Sequence, residues 1–194
     1  MALSADGSLG YLAVTGKCEE PVRDRVAWYF QQRHPDLIAA REYYIKSEND
    51  RRRVDLAILK KASPGLHPLA FVEFKAVIAP PLDQPEHRLM ESLESDLKRL
   101  ADISPPVPRF GVMLVVRVED PERLEKRGLD DSVAKHMSSF RRGAEKPDGL
   151  RKAIANVQRF FNGTNHKVSR PFTIELGSVW GAGVKLVGFI LRPR

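Results

Sequence analysis

The chain has 194 residues, with 32 Lys and Arg against 25 Asp and Glu, a formal charge of +7 and a pI near 9.7. That is about one domain, long enough for a core of its own, and its basic balance suits a polyanionic partner without bearing on fold. The single cysteine, Cys18, excludes an internal disulfide framework and points to a reducing compartment. No apolar run is long enough to span a bilayer, and the opening MALSADGSLGYLAVTGK has no basic region followed by an apolar core. The expectation is a cytoplasmic protein with no secretory signal and no membrane partner.

In chain order, EEPVRDRVAWYFQQRHP predicts the first helix, with Val22, Val26, Tyr29 and Phe30 at helical spacing, Pro21 in the first turn and His34-Pro35 as the stop. DLIAAREYYIK, RVDLAILKK and LAFVEFKAVIA read as three strands, separated by the turn-rich SENDRR and ASPGLHP. After PPLDQP, the stretch EHRLMESLESDLKRLADI carries Leu89, Leu93, Leu97 and Leu100 on one helical stripe and ends before Ser104-Pro105-Pro106. RFGVMLVVRV is nearly continuously apolar, as in a strand buried on both faces. The segment from Glu119 to Pro147 is charged and weakly periodic, and a mobile excursion is expected there, helical in part over DDSVAKHMSSFRR. GLRKAIANVQRFFNG predicts a helix with Leu150, Ile154, Val157 and Phe161 inward, and VKLVGFILRP a last strand. The order α-β-β-β-α-β-α-β, with no repeat and no dividing linker, describes one α/β domain over residues 1–194.

Three charges stand where buried strands should be apolar: Asp55 inside Val-Asp-Leu-Ala-Ile-Leu, and Glu73 and Lys75 inside Ala-Phe-Val-Glu-Phe-Lys-Ala-Val-Ile. Alternation puts Glu73 and Lys75 on one face with Phe71 and Val77. If the SPGLHP hairpin pairs the two strands, Asp55 and Glu73 can meet. Two close carboxylates repel and are costly to bury unpaired. A lysine offsets part of that cost and a divalent cation offsets more, with oxygen donors suiting magnesium or manganese. The plainer reading is an exposed Glu-x-Lys salt bridge at a sheet edge.

Val54-Asp55 followed by Glu73-Phe74-Lys75, within the helix, three-strand meander, helix, strand order from Glu19 to Val118, resembles the PD-(D/E)xK nuclease superfamily. Valine stands in place of the eponymous proline. The resemblance implies a restriction-endonuclease-like fold, with a central mixed sheet of about four to five strands flanked by helices. It implies a metal-dependent endonuclease hydrolysing phosphodiester bonds of DNA, in defence, repair, recombination or a mobile element. Asp55, Glu73 and the Phe74 backbone carbonyl would hold Mg2+ or Mn2+, and Lys75 would position or deprotonate the attacking water. A glutamate from the first helix often joins the site. Glu19, on the flank of the inward stripe, is preferred to Glu20, while both also complement the helix dipole.

Arg51, Arg52 and Arg53 directly precede Asp55, where a nucleic-acid backbone would pass, and such contacts position without reading sequence. Further basic groups are Lys60-Lys61, Arg141-Arg142 and Arg151-Lys152. Asp96 and Lys98 in ESDLKRL resemble second-helix positions near the site in some relatives. Lys98 could reach a phosphate, against the simpler reading of a solvated face. Glu42 in REYYI could face the site from the first strand, against the simpler reading of an edge charge; the histidines lack the paired spacing of a zinc site, and WGAGVK reads as a turn. The partner expected is nucleic acid, DNA before RNA, with a homodimer allowed. Two competing readings stay open: an inactive nucleic-acid-binding or regulatory module on the same fold, and an unrelated α/β protein. Carboxylates of Asp55 and Glu73 farther apart than about 6–7 Å could not share one ion and would favour the latter.

Overall fold

A computed structural model describes residues 8–16, 18–46, 51–63, 65–78, 87–101, 107–130, 132–133, 137–138, 140 and 149–193. The helices are α1 (Ser8–Thr15), α2 (Glu19–Arg33), α3 (His87–Ala101), α4 (Glu122–Glu125) and α5 (Gly149–Asn162). The strands are β1 (Leu37–Lys46), β2 (Arg51–Lys61), β3 (Leu66–Ile78), β4 (Arg109–Val118), β5 (His166–Val168), β6 (Phe172–Val179) and β7 (Ala182–Pro193). They form one mixed, open seven-stranded sheet in the order β1-β2-β3-β4-β7-β5, with β6 also paired to β7. Among the described strands, only β3 and β4 run parallel. None of the described helices is long and apolar enough to cross a membrane.

The sheet has two strands more than the upper figure of the four to five expected: PFTIELGSVWGAGVK folds as a hairpin rather than as a turn before a lone strand, and His166–Val168 adds the short strand β5. Trp180 and Gly181 take φ of +50° and +87° between the registered ends Val179 and Ala182. Positive φ at both central residues is what a type I′ hairpin turn requires.

Helices cover both faces. Met113 and Val115 of β4, with Val187, Phe189 and Leu191 of β7, pack under Met90, Leu93 and Leu97 of α3 and Val157 and Phe161 of α5. The alternate residues Leu114, Val116 and Val118 join Leu9 and Ala13 of α1 and Val22 and Ala27 of α2 on the other face. This two-sided burial is why RFGVMLVVRV shows little alternation. Gly111 lets α3 approach closely, since a Cβ there would meet Leu97 Cδ1 at 3.0 Å and Leu191 Cδ1 at 3.3 Å.

Within the charged segment after Glu119, the described Leu124, Met137 and Phe140 are buried in the α1/α2 core. Arg141-Arg142 and the rest of 141–148 lie outside the described residues, as do PPLDQP, residues 47–50 of SENDRR, Ser104-Pro105-Pro106 and the side chains of Leu89 and Leu150. Cys18 is buried, and burial pushes its thiol up to about 12. Tyr29, expected inward, lies instead under Arg33, whose guanidinium carbon is 4.1 Å from the ring centroid.

Leu93 is fully buried between α3 and the sheet. Leu93→Ala should therefore cost about 2–5 kcal/mol, the range for a buried leucine leaving a cavity. Urea unfolding of the two proteins checks this.

Candidate functional site

The site forms where β2 and β3 part. Their ladder runs from Lys61↔Leu66 to Leu56↔Val72, whereas β3 keeps its parallel pairing with β4 as far as Ile78↔Val116. Past Val72, the β3 amides facing β2 need other acceptors, because an unmet backbone N–H inside a protein is costly. Two carboxylates supply them. Phe74 N–H donates to Asp55 Oδ2 at 2.7 Å, and Ala76 N–H donates to Glu19 Oε2 at 3.3 Å. An aspartate inside an apolar strand and a glutamate at the start of α2 are thereby brought to one fork.

Glu73 completes a carboxyl pair. It is 6% exposed, and burial first, then the charge of Asp55 and a hydrogen bond to it, push its pKa up to about 9. The Glu73 and Asp55 carboxyls lie within hydrogen-bonding reach of each other.

Lys75 shares the Glu73 face of β3 and points toward α3, where its Nζ lies 3.0 Å from Asp96 Oδ2. Burial alone would lower its pKa, but the hydrogen bond to Asp96 and the charges of Asp96, Glu19 and Asp55 outweigh burial and raise it. Arg99 also donates to Asp96. Beyond the resemblance of ESDLKRL, Asp96 carries a signal of its own in the sequence. Asp96 stands between Leu93, Leu97 and Leu100 on the buried stripe of α3, where a solvated acid has no place.

A cleft of about 170 Å³ opens at the fork, with the acids Glu19, Glu20, Glu42 and Asp55, the cations Arg23, Arg53 and Lys75, and Phe74 in its walls. Arg23, 6% exposed, donates to Asp24 and Glu42. Arg53 Nε lies 2.8 Å from Glu42 Oε2, an ion pair rather than an aligned hydrogen bond. Glu42 is therefore part of the cleft wall, not a simple edge charge, and its φ of +50° is one few non-glycine residues adopt.

The arginine triplet divides across the sheet. Arg53 lines the cleft, Arg52 donates to the Arg99 carbonyl oxygen on the α3 side, and the Arg51 side chain lies outside the described residues. Lys98 pairs with Glu94 at 2.9 Å on an exposed turn of α3 and does not line the cleft. Lys60, Lys61, Arg151 and Lys152 are exposed elsewhere.

No family model, curated protein or solved structure matches this chain.

The donors present fit a small hard cation. Two carboxyls in contact ionise together more readily when a positive charge offsets their repulsion, and hard oxygen donors favour magnesium or manganese. Among the described residues, no group of three or more His, Cys, Asp and Glu side chains converges for a metal. Two carboxylates, a backbone carbonyl and water are the set magnesium accepts, since it keeps several waters.

The raised pKa of Glu73 has a consequence for stability without metal. Between its ordinary value of 4.5 and about 9, the unfolded chain ionises this acid while the folded chain keeps its proton. Stability contributed here is therefore lost as pH rises through that window, at a ceiling of about 1.4 kcal/mol per pH unit for one proton. Glu73→Gln should flatten this slope and be relatively more stable than wild type at pH 8 than at pH 5. Urea unfolding of both proteins in chelator measures it, and parallel pH profiles would contradict the assignment.

Proposed function

We propose that this chain is a divalent-metal-dependent endonuclease of the PD-(D/E)xK type, on a restriction-endonuclease-like fold, hydrolysing phosphodiester bonds of DNA. The observation that carries the reading is the contact of the Asp55 and Glu73 carboxyls at the fork, with Lys75 two positions along the same strand. Asp55, Glu73 and the Phe74 carbonyl would hold Mg2+ or Mn2+. The cation would polarise the phosphoryl group and lower the pKa of a bound water.

The residues then divide the work. Lys75 is kept protonated by Asp96, so its role is to donate a hydrogen bond and stabilise negative charge at the phosphate, not to take the proton of the attacking water. Glu19 holds the Ala76 amide and lines the same cleft, fixing the upper rung of the fork. Arg53 adds a cation at the cleft wall for a flanking phosphate.

A second reading is an inactive nucleic-acid-binding module. It is favoured by Asp55 Oδ2 and Glu19 Oε2 each accepting a backbone amide, so that both acids have a structural task without turnover.

Supercoiled, linear, single-stranded and branched DNA, each with magnesium, manganese or chelator, separates the two. Lys75→Ala, Glu73→Ala and Asp55→Asn should each lose at least about 10²–10⁴-fold in cleavage while remaining folded. Asp55→Asn is preferred to alanine because the amide oxygen can still accept from Phe74 N–H. Undiminished cleavage by Glu73→Ala would remove this site, and wild-type binding without cleavage would favour the module.

A further inference from the structure

Strands β1 and β2 change phase at a single rung. Ile38 and Ala40 of β1 pack in the cluster beneath Leu100 of α3, and so do Tyr43 and Ile45. Strict alternation from Ala40 would place Tyr44, not Tyr43, in that cluster. In β2, Ala57 and Leu59 belong to it, and so does Val54, while Leu56 lies in the core on the α2 side. The registered pairs Arg41↔Leu56 and Tyr43↔Val54 bracket the rung, so the shift falls on Glu42 and Asp55 together. Its backbone mark is the φ of +50° at Glu42, a strained region for a residue with a side chain.

The shift carries two side chains to the cleft face. Tyr44 is registered with Arg53, and registered partners in an antiparallel pair share a face. Arg53 lines the cleft, paired with Glu42, and is 60% exposed. Tyr44, beside it on the edge strand, is 56% exposed. Without the shift, Tyr44 would pack beside Ala40. The strained rung thus exposes an aromatic ring next to a cation at the mouth of the cleft.

We propose that Tyr44 and Arg53 form a nucleotide subsite, in which Arg53 takes a phosphate beside the scissile one and Tyr44 stacks on an unpaired base. This inference rests on the nuclease reading for its substrate and names the substrate class as a strand with exposed bases. A base inside a duplex has both faces covered by its neighbours, whereas an unpaired base presents its π-face to an aromatic side chain. Arg beside Tyr matches the alternation of phosphate and base along such a strand, and Glu42, held by Arg23, positions the guanidinium.

The test is fluorescence anisotropy in chelator, so that no cleavage intervenes, with a labelled single-stranded oligodeoxynucleotide, its blunt duplex and an abasic strand of equal length. Wild type should bind the single strand more tightly than the duplex. Tyr44→Ala should weaken single-strand binding about 5- to 150-fold, leave duplex and abasic binding unchanged, and be rescued by Tyr44→Phe. Arg53→Gln should weaken all three probes and reduce the salt slope by about 1. Equal single-strand binding by Tyr44→Ala and wild type would overturn the subsite. Cleavage by wild type together with that equality would overturn the subsite alone and leave the nuclease reading. Tyr44-dependent binding without cleavage in magnesium or manganese would support the subsite and remove the nuclease reading. No binding by wild type to any of the probes would overturn both.

Discussion

The structure around the cleft depends on a backbone requirement. When β2 leaves β3 after the Leu56↔Val72 pair, the amides of Phe74 and Ala76 need acceptors, and Asp55 and Glu19 provide them. A ladder of backbone bonds is thus continued by side chains. The substitution works because a carboxylate oxygen is a stronger acceptor than a peptide carbonyl. The cost is that acids are drawn into a region where Glu73 is already buried. That cost appears as a proton held on Glu73 well above the ordinary carboxylate range.

Charge compensation around the fork comes from both sides of the sheet. From the α3 side, Asp96 holds Lys75, so the strand carries an ammonium beside its own buried acid. From the α2 side, buried Arg23 meets Glu42, and Glu42 meets Arg53. Breaking one member of such a network leaves its partner buried and unmatched, which is more damaging than losing an exposed pair. The site is buried at Glu73 and more exposed at Arg53 and Tyr44.

Much of the fold was legible in the sequence because its signals were local. The helical stripe of α3, the apolar run of β4 and the turn residues at the β2–β3 hairpin each specify an element without reference to distant parts of the chain. The contact of Asp55 with Glu73 was also legible, from two interrupted strands and the hairpin between them. What escaped was set by tertiary context. Alternation places Val54 and Leu56 on one face, yet the rung at Glu42 and Asp55 sends them to opposite faces. No periodicity reports a phase shift that two strands make together, although the consecutive tyrosines of REYYI fit neither face cleanly. Ordinary strand alternation divides Arg52 from Arg53, which composition alone reads as one basic cluster. The β6–β7 hairpin was lost because its I′ turn uses Trp180, not Asn or Asp, before the glycine.

The Asp55–Glu73 pair is proposed as a cation site and not only a structural plug. The direct measurement is the melting temperature of wild type and Asp55→Asn, each in chelator and in manganese at pH 8. Asparagine keeps an acceptor for the Phe74 amide and removes one charge, so the variant should melt at or above wild type in chelator. Manganese binding only the folded state should stabilise wild type by about 2.7 kcal/mol at one hundred times its Kd, and should leave Asp55→Asn unmoved. Equal responses of the two proteins to manganese, or none in wild type, would contradict the account.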